Sequence, residues 1–299
     1  MNKKEVIDIL LYDVALEHSA IIQYLYNVFL IGDPEITCEI ESIARQEMRH
    51  LKWFAQKVVE LGGKVSLKRV EEAINLGKSW DEMLKNNVNA EEEAIRIYSE
   101  QLEIVKEDSV KKLLDRVIND ETEHRDDFKE LLENLRNKKI EESKDNGEID
   151  FEIVRILNTL LQKEYKLILD HLYHFFHSKT WQEKDTSLDI AIESMVHMGK
   201  LGEKIGEMGA MPDLSMPEAK HLKGYSAKEI IDDIIEEEKT KDLYKEYSSK
   251  ITREDLQKLF KWIENHEDYH VRRLKELLRI LNRFTIGSLI ERDNHKKSL

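Results

Sequence analysis

The chain has 299 residues, about twice the length of a typical single domain, and carries 36% charged residues with a net charge of −14. Lys and Glu are interspersed and not gathered in blocks, which excludes a basic nucleic-acid footprint and a polybasic membrane anchor. The single cysteine, Cys38, excludes an internal disulfide and a four-thiolate metal centre and suits a reducing cytoplasm.

Only 11 Gly and 3 Pro punctuate the chain, which predicts an all-α fold. The N-terminus "MNKKEVIDILLYDVALE" lacks a signal-peptide core and cleavage site. Apolar residues then recur at helical spacing from about Val6 to Leu30. The stretch "AIIQYLYNVFLIG" is too short and too polar to span a bilayer. Gly32 stops this helix, and Asp33 with Pro34 signals the cap and first turn of the next, which runs to "LGG" at 61–63. A connection of about 16 residues leads to Ser79 and Glu82, at capping-box spacing, and a third helix to about Lys106. A fourth runs from Asp108 to near Arg136. The charged stretch around Asn146 and Gly147 reads as a linker over 141–150, between domains at 1–140 and 151–290. Helices follow over about 151–176, 186–208, 226–248 and 252–283, with a second capping-box spacing at Ser226 and Glu229. The four tryptophans, Trp53, Trp80, Trp181 and Trp262, read as packing residues, Cys38 as a buried small side chain and the C-terminal ten residues as frayed.

Three Glu-x-x-His pairs stand in these helices: Glu47 with His50, Glu121 with His124, and Glu267 with His270. Residues three apart share a helix face, so each pair can offer a carboxylate and an imidazole to one point. The spacing alone is a poor signal in so acidic a chain, and "EAKH" at 218–221, beside Pro217, shows it without support. The wider arrangement is more selective. Glu17 precedes Glu47 by 30 residues and Glu91 precedes Glu121 by 30, and each interval is centred on a predicted turn. In antiparallel hairpins both carboxylates of a pair then lie roughly 22 Å from the turn, at one depth. Tyr24 and Tyr98 follow the lone glutamates by two helical turns, on the same face, where a phenol can hydrogen-bond a carboxylate of the opposite hairpin.

The second half repeats the pattern. Shifted by 147 residues, Glu17, Tyr24, Glu47 and His50 fall on Glu164, His171, Ser194 and His197. Shifted by 146, Glu91, Tyr98, Glu121 and His124 fall on Glu237, Tyr244, Glu267 and His270. "LYNVF" likewise matches "LYHFF", and "FKELL" matches "LKELL", as expected of a tandem duplication.

A glutamate from each of two helices with Glu-x-x-His from each of two others resembles the ferritin and rubrerythrin superfamily of di-iron carboxylate proteins. The resemblance covers about residues 3–138 and 151–283 and implies two tandem ferritin-like four-helix bundles, each with one long crossover connection. It implies Glu17 and Glu91 as terminal ligands, Glu47 and Glu121 as bridges and His50 and His124 as nitrogen donors for two irons, with manganese or zinc compatible with the donor set. In the second bundle Ser194 stands where a bridge is expected. The expectation there is zero to two metals at Glu164, His197, Glu237, Glu267 and His270, with His171 and Glu193 as substitute candidates. The activity implied is a rubrerythrin-type oxidoreductase acting on peroxide or dioxygen. With one Cys it would draw on an external electron donor such as a rubredoxin-like protein. The extra glutamate expected of such peroxidases is missing, Ala94 standing in its place with Glu93 adjacent. Iron storage with ferroxidase activity, a manganese catalase-like activity or a hydroxylase remain alternatives, and a homodimer is the assembly considered.

Overall fold

The computed structural model describes residues 1–138, 149–218 and 226–296. Most of the expected linker and His221 of "EAKH" lie outside them. Among the described residues there are eight α-helices and no strand: α1 Lys3–Leu30, α2 Pro34–Glu60, α3 Trp80–Ile104, α4 Asp108–Lys138, α5 Phe151–His177, α6 Trp181–Glu207, α7 Ala227–Lys250 and α8 Glu254–Lys296. None of the described helices is long and apolar enough to cross a membrane. By contact density the chain parts into two compact units, Met1–Leu161 with Gly199–Met216, and Gln162–Met198 with Pro217–Leu299.

Local chemistry sets the helix ends. Asn2 and Glu5 close a capping box on α1, and the Asp33 carboxylate accepts from Glu35 N and Ile36 N ahead of Pro34. Ser226 and Glu229 form the expected box on α7. At α3 only half of it forms: Ser79 caps Glu82 N, but the Glu82 carboxylate turns back to Lys78 N. Helix α6 starts at Trp181, five residues before its expected start, because Thr180 and Glu183 make a reciprocal cap that the sequence reading passed over. Gly62 ends α2 at φ +74°, a left-handed conformation that costs glycine nothing. The C-terminal helix continues to Lys296, well past the expected end near residue 283.

In the first unit α1 carries an unusual load of buried polar side chains, and half of the six fasten the long α2–α3 connection. His18 Nδ1 lies 2.9 Å from Leu67 O, Ser19 Oγ accepts from Val70 N at 2.8 Å, and Gln23 Oε1 accepts from Asn75 N at 2.7 Å. The crossover is therefore a strap stitched to α1 by hydrogen bonds, which satisfies backbone groups that would otherwise be orphaned. Below it, Ile36, Ile40, Leu84, Phe128 and their neighbours form an apolar core around Tyr24. In the second unit Ile190, Ile230, Leu274 and Leu277 form the corresponding cluster. Two expectations about single residues fail. Cys38 is exposed, because it faces away from the buried Ile36 and Ile40 on α2. Trp181 is also exposed, because it opens α6, whereas the partly exposed Trp262 packs its ring on His266 and His197.

Candidate metal centre

Short turns at 31–33 and 105–107 pair α1 with α2 and α3 with α4, so Glu17, Glu47, Glu91 and Glu121 meet at one level with His50 and His124. All six are buried. The two central carboxylates divide their oxygens between the two rings. Glu47 Oε2 lies 3.1 Å from His50 Nδ1 and its Oε1 2.7 Å from His124 Nδ1, while Glu121 Oε1 lies 3.1 Å from His50 Nδ1 and its Oε2 3.1 Å from His124 Nδ1. Glu17 flanks His50 at 3.9 Å and Glu91 flanks His124 at 4.0 Å. Two donor groups result, Glu17–Glu47–His50–Glu121 and Glu47–Glu91–Glu121–His124, sharing the central pair. Each Nδ1 can carry only one hydrogen yet faces two carboxylate oxygens, so protons cannot satisfy every contact whereas two cations can. The residues present fit a pair of divalent ions.

The tyrosines cross the bundle. Tyr24 donates to Glu91 Oε1 at 2.5 Å and Tyr98 to Glu17 Oε1 at 2.5 Å. His50 Nε2 lies 3.1 Å from Asp120 Oδ2, a contact that suits a hydrogen on Nε2 and keeps Nδ1 turned inward. Asp120 escaped the sequence reading, although its place directly before Glu121 on the neighbouring helix is a signal once the hairpin register is known. Burial, reinforced by the repulsion of Glu121 and Glu47, pushes the Glu17 carboxyl well above the usual carboxylate range, and burial with Glu47 and Glu121 does the same for Glu91. Burial opposes the charge on His50, but hydrogen bonds to Glu121 and Glu47 carry it up to about 12, and Glu47 likewise helps raise His124 to about 9. The metal-free centre thus compensates its carboxylates with protons, the groups that metal loading must displace. A cavity of about 480 Å³ under the crossover strap reaches Glu17, Glu91, Glu47 and Glu121, with Ala20 and Ala94 on its wall. Glu93, the neighbour of Ala94, is tied to Arg96 at 2.5 Å.

The ferritin-like domain is matched twice along the chain, over residues 7–138 and 154–284. The chain belongs to the ferritin-like domain family. A bacterioferritin of Desulfovibrio desulfuricans is 28% identical over 142 residues, spanning 46% of this chain and 79% of that protein. Among solved structures, a bacterioferritin-related protein from Bacteroides fragilis, described as a dodecameric thioferritin, aligns with 21% identity and a TM-score of 0.43, covering 46% of this chain and 90% of its own.

The second ferritin-like domain keeps the frame and alters the centre. Tyr244 donates to Glu164 Oε1 at 2.6 Å, as Tyr98 does to Glu17. His197 Nδ1 lies 3.4 Å from Glu164 and 3.3 Å from Glu267, and His270 Nδ1 lies 3.4 Å from Glu237 and 3.6 Å from Glu267. Two three-residue groups remain, Glu164–His197–Glu267 and Glu237–Glu267–His270. Burial opposes the charge on Glu237, but His171 and His270 hold it well below the usual range, whereas burial and Glu164 push Glu267 well above it.

Both substitute candidates lie elsewhere. His171 Nε2 sits 2.9 Å from Glu237 Oε1, the place and role of the Tyr24 hydroxyl, because it occupies the matched position on α5. Glu193 is turned by about 100° from Ser194 around α6. Its Oε2 lies 3.0 Å from His266 Nδ1 on the outer side of His197. The Ser194 hydroxyl is buried and has no hydrogen-bond partner among the described residues.

Proposed function

We propose that the first ferritin-like domain holds two iron ions through Glu17, Glu47, His50, Glu91, Glu121 and His124, and reduces hydrogen peroxide or dioxygen with electrons from an outside donor. The observation that carries this reading is the division of Glu47 and Glu121 between the two imidazoles, since a carboxylate that only paired with one histidine would have no reason to face both. Two ferrous ions held by these residues would supply the two electrons that convert one peroxide and two protons into two waters. The chain's own groups do the rest. Glu17 and Glu91 line the cavity, which gives a small oxidant a way to the carboxylates. Tyr24 and Tyr98 hold those carboxylates in place, and Asp120 orients His50. The one Cys in these 299 residues supplies no thiolate iron centre, which favours an electron donor outside them, such as a rubredoxin-like protein.

A second reading, iron oxidation and storage, is favoured by the similarity to a bacterioferritin and by Ala94, which leaves the peroxidase-type glutamate position empty. Anaerobic loading of the full chain with ferrous iron, followed by rapid mixing with peroxide or dioxygen, separates the two. Repeated peroxide turnover that stops when a chemical reductant is withheld supports the first. Uptake of many ferric ions per chain without turnover supports the second. Turnover of peroxide without any reductant would point instead to a catalase-like cycle, and failure of the first domain to bind two ions would end both readings.

A further inference from the structure

Four substitutions between the two domains fall around one imidazole. At matched positions Gln46 becomes Glu193, Glu47 becomes Ser194, Asp120 becomes His266 and Arg116 becomes Trp262. In the first domain Asp120 takes the outer nitrogen of His50, with Arg116 3.9 Å from that aspartate. The ring therefore offers its lone pair inward. In the second domain the inner bridge is gone, and the outer side of the matching ring has gained an imidazole and a carboxylate.

The resulting geometry is compact. His197 Nε2 lies 3.1 Å from His266 Nδ1, which lies 3.0 Å from Glu193 Oε2, and all three donor atoms fall within 4.8 Å of one another. Donors bound at about 2.0–2.2 Å to one cation stand roughly 3.0–3.5 Å apart, so both measured separations suit a shared ion. His197 is fully buried, while the side chains of His266 and Glu193 are 31% and 35% exposed, which leaves an entry route and room for water. The opposite nitrogen, His197 Nδ1, faces Glu164 at 3.4 Å and Glu267 at 3.3 Å. A hydrogen on Nδ1 directed at those carboxylates leaves the lone pair on Nε2, the carboxylate–histidine arrangement that orients metal-bound imidazoles.

We propose that Glu193, His197 Nε2 and His266 Nδ1 form a separate site for one divalent transition-metal ion, in which His197 offers its outer nitrogen where the equally oriented ring of His50 offers its inner one. Two imidazoles and one carboxylate with open positions suit Fe²⁺ or Zn²⁺. The former inner ligands Glu164 and Glu267 become the groups that position His197. Trp262, whose ring centroid is 4.3 Å from that of His266, walls one side of the site. This inference stands independently of the reactivity of the first domain.

The test is metal binding by the full chain, with Zn²⁺ and anaerobic Fe²⁺ titrated separately. His266→Asp and Glu193→Gln restore the first domain's residues, singly and together. The wild type should bind one more ion than the double variant, or bind that ion at least tenfold more tightly, with the two metals telling which is preferred. Zinc-edge anomalous diffraction from soaked crystals should give a peak between Glu193, His197 and His266. Glu193→Gln alone changes a half-exposed side chain and preserves a folded readout should the double variant unfold. Unchanged stoichiometry and affinity in Glu193→Gln, or anomalous density confined to the inner carboxylates, would show that the three side chains form only a hydrogen-bond chain, and would overturn the proposal.

Discussion

Tyr24 on α1 donates its hydroxyl hydrogen to Glu91 on α3 at 2.5 Å, reaching from one hairpin to the terminal carboxylate of the other. The same phenol packs on Phe128, ring centroids 5.0 Å apart, so its ring and its hydroxyl have separable roles. Tyr24→Phe keeps the packing and removes the hydrogen bond. It should lower stability by only about 1 kcal/mol in thermal melts, yet weaken metal binding on the His124 side by about 10-fold. Equal metal affinity in a folded variant would mean that Glu91 needs no such support.

Glu121→Ala deletes an oxygen donor from both groups at once, whereas Glu17→Ala touches only the His50 group. Metal analysis should therefore show about two ions lost from the first domain in Glu121→Ala and about one in Glu17→Ala. If both variants retain wild-type content, the six residues are a buried ionic cluster and nothing more.

Ser194 fills the place of the missing inner bridge, with a buried hydroxyl that has no hydrogen-bond partner among the described residues. Ser194→Glu supplies a carboxylate where Glu47 stands in the first domain, and should raise the content of the second domain by about one ion. Isothermal titration against the wild type checks this. An unaltered isotherm would show that the pocket cannot seat a second cation even with its anion restored.

Asp13, one turn before Glu17, accepts from Gln101 Nε2 at 2.7 Å, and burial raises its pKa to about 8, against 3.8 for the free side chain. Between those values the folded chain keeps the proton and the unfolded chain releases it. Stability contributed by the protonated form is full below pH 3.8 and is lost as pH climbs towards about 8. Asp13→Asn should flatten this slope, by up to about 1.4 kcal/mol per pH unit, in metal-free protein denatured with urea across that range. A slope that does not change in the variant would show that Asp13 ionises within the fold.

The helix pairing and the depth of the first centre are legible in the sequence because three-residue turns leave little freedom. Once Gly32 and Lys106 are read as turns, Glu17 must stand level with Glu47, and Glu91 with Glu121. The tyrosines are legible for the same reason. What lies across a helix interface is harder. A helical wheel shows that Glu193 leaves the inner face, but not that His266 on α8 waits beside it, because that contact depends on the rotation of two helices distant in sequence. His171 illustrates the same limit. An imidazole near a carboxylate reads equally well as ligand or as hydrogen-bond partner, and its place 2.9 Å from Glu237 Oε1, where Tyr24 stands in the first domain, emerges only from the fold.

The strap that joins α2 to α3 also roofs the cavity, since Val70, Ala73 and Asn75 line it while Ser19 and Gln23 tether it. The roof of the cavity and the carboxylate–imidazole cluster beneath it therefore reside in different parts of the chain, one in a segment sewn down by replaceable polar stitches and the other in helices whose register tolerates no slippage. Lineages could exchange the roof, and with it which molecules are admitted, while inheriting the carboxylate floor intact.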